Sequence, residues 1–282
     1  MHIDIDHLKT WVGRSETVQD TVTTQPLVSL SNTLDRPRAG VPAAVPPLWH
    51  WLNFLPNYRH AEAGPDGHIA RGGPSLAPPV PLPRRMWAGS RLTWHAPLAV
   101  GDAISRTSTV KSVEHKAGKT GDLVFVLVHH AIHRGAQLVM DEEHDIVFRD
   151  ITPYVAPQAV PQAQWRAATW TREVHGDTLM LFRYSALTFN GHRIHYDREY
   201  TVGTEGYPGL IVHGPLMATW LMEVATANNP TPTVKTFKFR ALSPVFDLNP
   251  FTVCGAPTAQ GCEVWIRRHD GVVAMEGVIE WA

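Results

Sequence analysis

The chain has 282 residues, 44% of them hydrophobic and 18% charged, with a formal net charge of −1. That length suits one large domain or two modest ones, and the composition is that of an ordinary globular protein. A near-zero charge excludes a field that would draw in nucleic acid or an anionic membrane, and no run approaches the roughly 18 apolar residues of a spanning helix.

In chain order, the opening MHIDIDHLKTW is charged and lacks an apolar signal core, so a cytoplasmic enzyme is expected. Residues 4–13 predict a short helix with Asp4 or Asp6 as cap and Gly13 as stop. Residues 21–34 follow as an amphipathic helix carrying Val22, Leu27, Leu30 and Leu34, with Ser29 and Asn32 on its polar side. Pro46-Pro47 opens the run LWHWLNFLP, too apolar for a surface turn and read as a buried helix interrupted by Pro56. Residues 57–85 turn to Pro, Gly, Arg and His and predict a long loop, a lid or ligand-binding arm. Arg84-Arg85 at its end are read as solvated charge, with a phosphate contact as the alternative.

Four strands are expected at 86–94, 103–115, 122–133 and 137–150, with turn signals at Gly118–Gly121 and Arg134-Gly135. Strand alternation sends His129 and His133 to one face and His130 to the other. A Pro-, Ala- and Gln-rich stretch at 153–165 reads as a linker. The second half repeats the pattern: a strand at 177–188, a polar loop, a helix at 214–227, then strands at 234–241, 251–256, 262–269 and 272–281. The expected domains are therefore 1–152 and 166–282. Cys254 and Cys262 are expected as two buried free thiols.

The polar loop concentrates the chemistry. Asn190, His192, His195, Tyr196 and Asp197 fall within eight positions, and His213-Gly214 stand just before the apolar helix carrying Leu216, Met217, Trp220, Leu221 and Val224. Proton-transfer groups beside the free N–H groups of a helix start suit carbonyl chemistry. The spacing of His192 and His195 suits a metal set that Asp197 or His213 could complete, but no Cys is near, no His-Glu-x-x-His occurs, and no metal is expected.

The frame Asn190-Gly191-His192-Arg193-Ile194-His195-Tyr196-Asp197, followed by Ile211-Val212-His213-Gly214, resembles the MaoC-like R-specific enoyl-CoA hydratases. It is similar to a subgroup containing mesaconyl-C4-CoA, itaconyl-CoA and 3-hydroxyacyl-thioester hydratases and dehydratases. The resemblance implies an α+β double hot dog fold, two curved antiparallel sheets each around a central helix, with the catalytic unit in the second half. It implies an acyl-CoA hydratase without a cofactor, on an acyl-CoA partner, with a homodimer as the expected assembly. His195 matches the family's catalytic His, and Gly214 its thioester-oxygen donor. Asn190 stands where the family has an Asp, so it can orient water but not carry a proton, which leaves the second transfer to Asp197, Tyr196 or His192, or to His195 acting twice on one water. His192, Arg193, Tyr196, Asp197 and His213 are the expected substrate contacts, with Arg193 facing a free acyl carboxylate. Asp197 also reads as a helix cap, and His213 as structural. Glu223, two turns into the helix, keeps a hot dog thioesterase in view, and a non-catalytic acyl-thioester binder is the third possibility.

Overall fold

The computed structural model describes residues 3–37, 44–73, 75–118 and 121–282. Five strands come before the Pro-rich stretch: β1 (Ser15–Thr21), β2 (Arg84–Trp94), β3 (Ala103–Gly118), β4 (Gly121–Arg134) and β5 (Gln137–Arg149). Five come after it: β6 (Trp170–Val174), β7 (Val234–Ala241), β8 (Phe251–Pro257), β9 (Gly261–Arg268) and β10 (Val273–Trp281). All pair antiparallel in one sheet, ordered β1-β3-β4-β5-β2-β7-β10-β9-β8-β6. From each outer edge inward the order is the same, with β1, β3, β4, β5 and β2 matching β6, β8, β9, β10 and β7. The halves meet where β2 pairs with β7, from Gly89 opposite Arg240 to Thr93 opposite Thr236. Two repeated antiparallel units with helices against the sheet make this a double hot dog fold.

The helices are α1 (Ile5–Lys9), α2 (Thr24–Thr33), α3 (Thr178–Leu187), α4 (Arg198–Gly203) and α5 (Gly214–Asn228). Every residue of α5 from Leu216 to Ala225 is buried, as an all-round apolar helix must be to escape water. Its side chains join those of α2, β7, β9 and β10 in the main core, while a smaller core lies between Leu8, Val80, Leu82 and β3–β5. No described helix is long and apolar enough to cross a membrane. Both cysteines are free and buried.

Two expected elements are corrected. Residues 177–188 form α3, not a strand: the Asp177 side chain accepts from the Met180 N–H, and Leu181, Tyr184 and Ser185 bury one helical face. The run after Pro47 is not a helix but a single 3-10 turn, Trp49–Leu52. Leu48 and Phe54 on either side adopt left-handed backbone (φ 73° and 55°), which a right-handed helix cannot continue. Among the described residues, the first half therefore has α2 after its first strand but no counterpart of α5. The polar strand β1, one exposed edge of the sheet, was hidden by its hydrophilic sequence SETVQDT.

Candidate active site

The motif loop is fixed by its own polar residues. Asn190 Oδ1 accepts from the His192 backbone N–H at 3.0 Å, closing a tight Asn turn. Asp197 caps α4 by accepting from the Tyr200 N–H at 3.0 Å, and its other oxygen takes Arg193 Nη2 at 2.7 Å. Between these anchors, a 3-10 turn at Arg193–His195 leaves His192 and His195 buried and facing inward.

His195 Nδ1 lies 2.7 Å from the Ile211 carbonyl oxygen. A carbonyl only accepts, so Nδ1 carries the proton and Nε2 keeps its lone pair for the cavity. Burial, aided by His68, outweighs the help of the Ile211 carbonyl and pushes the imidazole down to about 4, so it rests as the neutral base. His213 stacks on it at 3.7 Å between ring centres and 17° between planes. His213 Nε2 is bonded to Ser185 Oγ at 2.8 Å, and burial holds His213 neutral as well.

A cavity of about 1460 Å³ opens in front of this pair, lined by Asn190, His192, His195 and Gly214. Gly214 starts α5 with no side-chain cap, and Pro215 follows without an N–H. The nearest atom to a Cβ placed on Gly214 would be the Trp87 oxygen at 4.0 Å, so a ligand oxygen has room to approach that N–H. The helix dipole adds a partial positive charge there. Asn190, its oxygen committed to the turn, presents its NH₂ as a donor.

The long loop of the first half docks on this motif. Arg193 N–H donates to the Asp66 carbonyl at 2.9 Å, and Tyr58 Oη to the Gly67 carbonyl at 2.7 Å. Gly67, in left-handed backbone (φ 85°), lies against Gly191 so closely that a Cβ on it would run into the Gly191 carbonyl. The contact seats His68 on His192, their ring centres 4.1 Å apart. Asp66 Oδ2 holds His68 Nδ1 at 3.1 Å. The first half thus brings side chains against the motif.

Beyond Trp87 the cavity runs along the inner face of β3, β4 and β5, where Arg106, Ser108, His130, Glu142 and His144 line it. A bulge in β2 between Trp87 and Gly89 re-aims the Trp87 indole, which packs on His144 at 4.4 Å between ring centres. Glu142 meets His50 Nε2 at 3.0 Å and Trp51 Nε1 at 3.1 Å, and His144 Nε2 lies 2.6 Å from it. Burial opposes its charge, but His144 and His50 prevail and hold the carboxyl well below its usual range. His130 Nδ1 is 2.8 Å from Ser108 Oγ. Arg106 lies over the Phe54 ring, and its Nε has no hydrogen-bond partner among the described residues.

A family model described as hydroxyacyl-thioester dehydratase type 2 matches residues 48–247. The chain belongs to this family. A relative named mesaconyl-C(4)-CoA hydratase, from Chloroflexus aurantiacus, is 42% identical over 274 residues, 96% of each chain. Among solved structures, a MaoC-like dehydratase from Phytophthora capsici superposes with a TM-score of 0.70 at 14% identity, covering 99% of this chain and 98% of that one. A Mycobacterium tuberculosis protein described as a double hotdog fold does so with 0.55 at 14% identity, covering 96% of each. This member of the dehydratase family is a hydro-lyase of the MaoC type, a hydratase–dehydratase of unsaturated acyl thioesters.

The expected site residues divide into two groups. Asn190, His192, His195 and Gly214 line the cavity, whereas Arg193, Tyr196, Asp197 and His213 do not. Arg193 corrects the expectation of a carboxylate reader, because its guanidinium is held by Asp197 and by the Pro65 carbonyl and lies over the Tyr200 ring. Tyr196 donates to the Gly191 carbonyl at 3.0 Å, and His213 supports His195 from behind. Arg84 is not solvated but buried against Glu205 at 2.9 Å, and both it and Arg85 line the cavity. Glu223, the group a thioesterase would use, pairs with Arg36 at 2.6 Å and Trp49 Nε1 at 3.1 Å, away from the cavity. The polar groups on β3–β5 were not anticipated, although alternation had already separated His130 from its two neighbours.

Proposed function

We propose that the chain hydrates, reversibly, an α,β-unsaturated CoA thioester whose acyl group ends in a second carboxylate, a C5 dicarboxyl unit of the mesaconyl-C4 or itaconyl type. The carrying observation is the polar inner face beyond Trp87. A site for a fatty chain would be walled by apolar side chains, since each buried polar group without a partner is costly. Here Ser108, His130 and His144 stand there with Arg106, whose Nε is unpartnered, and arginine matches a carboxylate with two parallel hydrogen bonds. The printed name of the Chloroflexus relative supports the same acyl class.

In this reading the thioester oxygen rests on the Gly214 N–H and the acyl group passes Trp87, so that its carboxylate meets Arg106. His195 Nε2 takes a proton from water as oxygen attacks Cβ, while the helix start stabilises the enolate oxygen. Asn190 donates to the attacking water. The test compares mesaconyl-C4-CoA with crotonyl-CoA, following loss of the enoyl absorbance and thiol release together. Arg106→Met should raise KM for the mesaconyl substrate selectively, by the equivalent of about 1.5–3 kcal/mol for a lost charged hydrogen bond. Equal losses on both substrates would remove Arg106 from recognition of the carboxylate, and thiol release without hydration would make the chain a thioesterase.

A further inference from the structure

Hydration moves two protons, and His195 of the motif loop carries one of them. Water loses a proton as its oxygen bonds to Cβ, and Cα must gain one. His195 serves the first transfer, but Asn190, with an amide and no titratable proton, cannot serve the second. Besides His192, another histidine reaches the cavity beside the motif, and it comes from the other half of the chain. His68 lines the cavity and packs on His192, with its Nδ1 bound to Asp66 Oδ2 at 3.1 Å. The pairing fixes the ring and leaves Nε2 as the nitrogen free to exchange a proton with a ligand.

We propose that His68, positioned by Asp66, is the catalytic residue that carries the Cα proton. The proposal rests on the hydratase reading. In hydration, a water lone pair forms the O–Cβ bond, and the water proton passes to His195 Nε2. The π pair of the double bond moves onto the thioester as an enolate, and its return to Cα takes the proton from His68 Nε2. His68 is left neutral and His195 protonated. The proton returns through His192, which lies between them at 4.1 Å from His68 and 5.4 Å from His195, or through solvent. In dehydration His68 takes the α-proton and each transfer reverses.

The groups facing His68 give this proton its conditions. Asp66 favours it, whereas burial, Arg85 and Arg71 oppose it and push the free imidazole down to about 4. His192 packs on the same ring and is itself held neutral, first by burial and then by His68. An anionic substrate group settling on Arg85, which also lines the cavity, would cancel the largest opposing charge. Proton uptake at His68 would then be coupled to substrate binding. The docking of Gly67 on Gly191 has a matching purpose, since it fixes the distance between the two halves of the proton-transfer pair.

The alternative use of the same side chains is a metal site, because ligand atoms of Asp66, His68 and His192 lie within 4.8 Å of one another. The experiment separates the two. His68→Gln in the full chain should lower kcat by about 10²–10⁴-fold, the usual contribution of a general acid or base, with KM changed far less. The kinetic isotope effect on an α-deuterated 3-hydroxyacyl-CoA should rise, and the alkaline limb of the hydration pH profile should disappear. His68→Ala should regain activity with added imidazole, and Asp66→Asn should show a smaller loss with the limb displaced. Thermal melting and binding of an unreactive acyl-CoA analogue establish that each variant is folded. Loss confined to KM, an unchanged isotope effect, or retention of more than about a tenth of kcat would overturn the assignment, because a general acid contributes at least about 10²-fold. So would inactivation of the wild type by chelators with recovery on adding zinc. If the wild type did not hydrate the unsaturated CoA thioester, the hydratase reading itself would fail; His68 variants alone leave it standing.

Discussion

The two halves of the sheet share one strand order and differ in what lies against them. In the second half, α5 fills the space: Cys262, Val264 and Ile266 of β9 enter the main core with Leu216, Leu221 and Ala225 of the helix. In the first half the matching strand β4 turns Val128, His130 and Ile132 inward, and they line the cavity. Among the described residues, the four-residue turn at Trp49–Leu52 stands in that half in place of a long helix. A sheet face needs covering, and a duplicated unit that has lost its helix leaves room for a ligand beside the start of the helix its twin retained. The halves are also not separate, because the long loop of the first reaches back to the motif of the second.

The largest test of this contrast falls on the second half. His195→Ala should lower kcat by about 10²–10⁴-fold, since the neutral Nε2 left by the Ile211 bond is removed, while the fold persists. A variant that keeps ordinary turnover would break the assignment of the base.

Acid should act next. His195, pushed down to about 4, and His213, well below its usual value, are neutral in the folded protein, whereas an unfolded histidine titrates near 6.5. The unfolded chain thus binds more protons between these values. Their contribution is complete above about pH 6.5 and is lost as pH falls toward 4, at about 1.4 kcal/mol for each pK unit of displacement. The thermal midpoint should therefore be lower at pH 5 than at pH 7.5, and His213→Asn should flatten that dependence. A midpoint flat over this range in the wild type would contradict neutral burial of these rings.

The smallest expected effect probes the seam between the halves. Gly67→Ala places a Cβ against the Gly191 carbonyl in left-handed backbone, which should cost about 1–3 kcal/mol in strain or push the loop off the motif. Stability in urea and kcat should both fall. Unchanged values would mean that the docked loop does not organise the site.

Much of this was legible in the sequence because local chemistry specified it. Asn190-Gly191 closes a turn, Asp197 caps α4, and the apolar run after Gly214 admits only a buried helix. The repeated strands and the place of His195 at the head of that helix follow from periodicity and motif. Residues 177–188 were misread because their apolar run suits either period, and the decision lay with the Asp177 cap and the neighbours of Leu181 and Tyr184. Arg193 was misassigned for a similar reason: a sequence shows a cation beside a motif but not the Asp197 carboxylate that occupies it.

What the sequence by itself determined was the family, most of the strands, the central helix and the place of His195 near its start. Each depends on residues a few positions apart, whose geometry the backbone period enforces. Only the tertiary structure decided that His68 stands against His192, although 124 positions separate them, and that Arg106 and Glu142 share a cavity with Gly214. Those contacts depend on how β2 joins β7 and on two glycines that let two loops touch backbone to backbone. Such long-range neighbours carry no local signal, because the free energy that selects them comes from burial of the whole sheet rather than from any stretch of the chain.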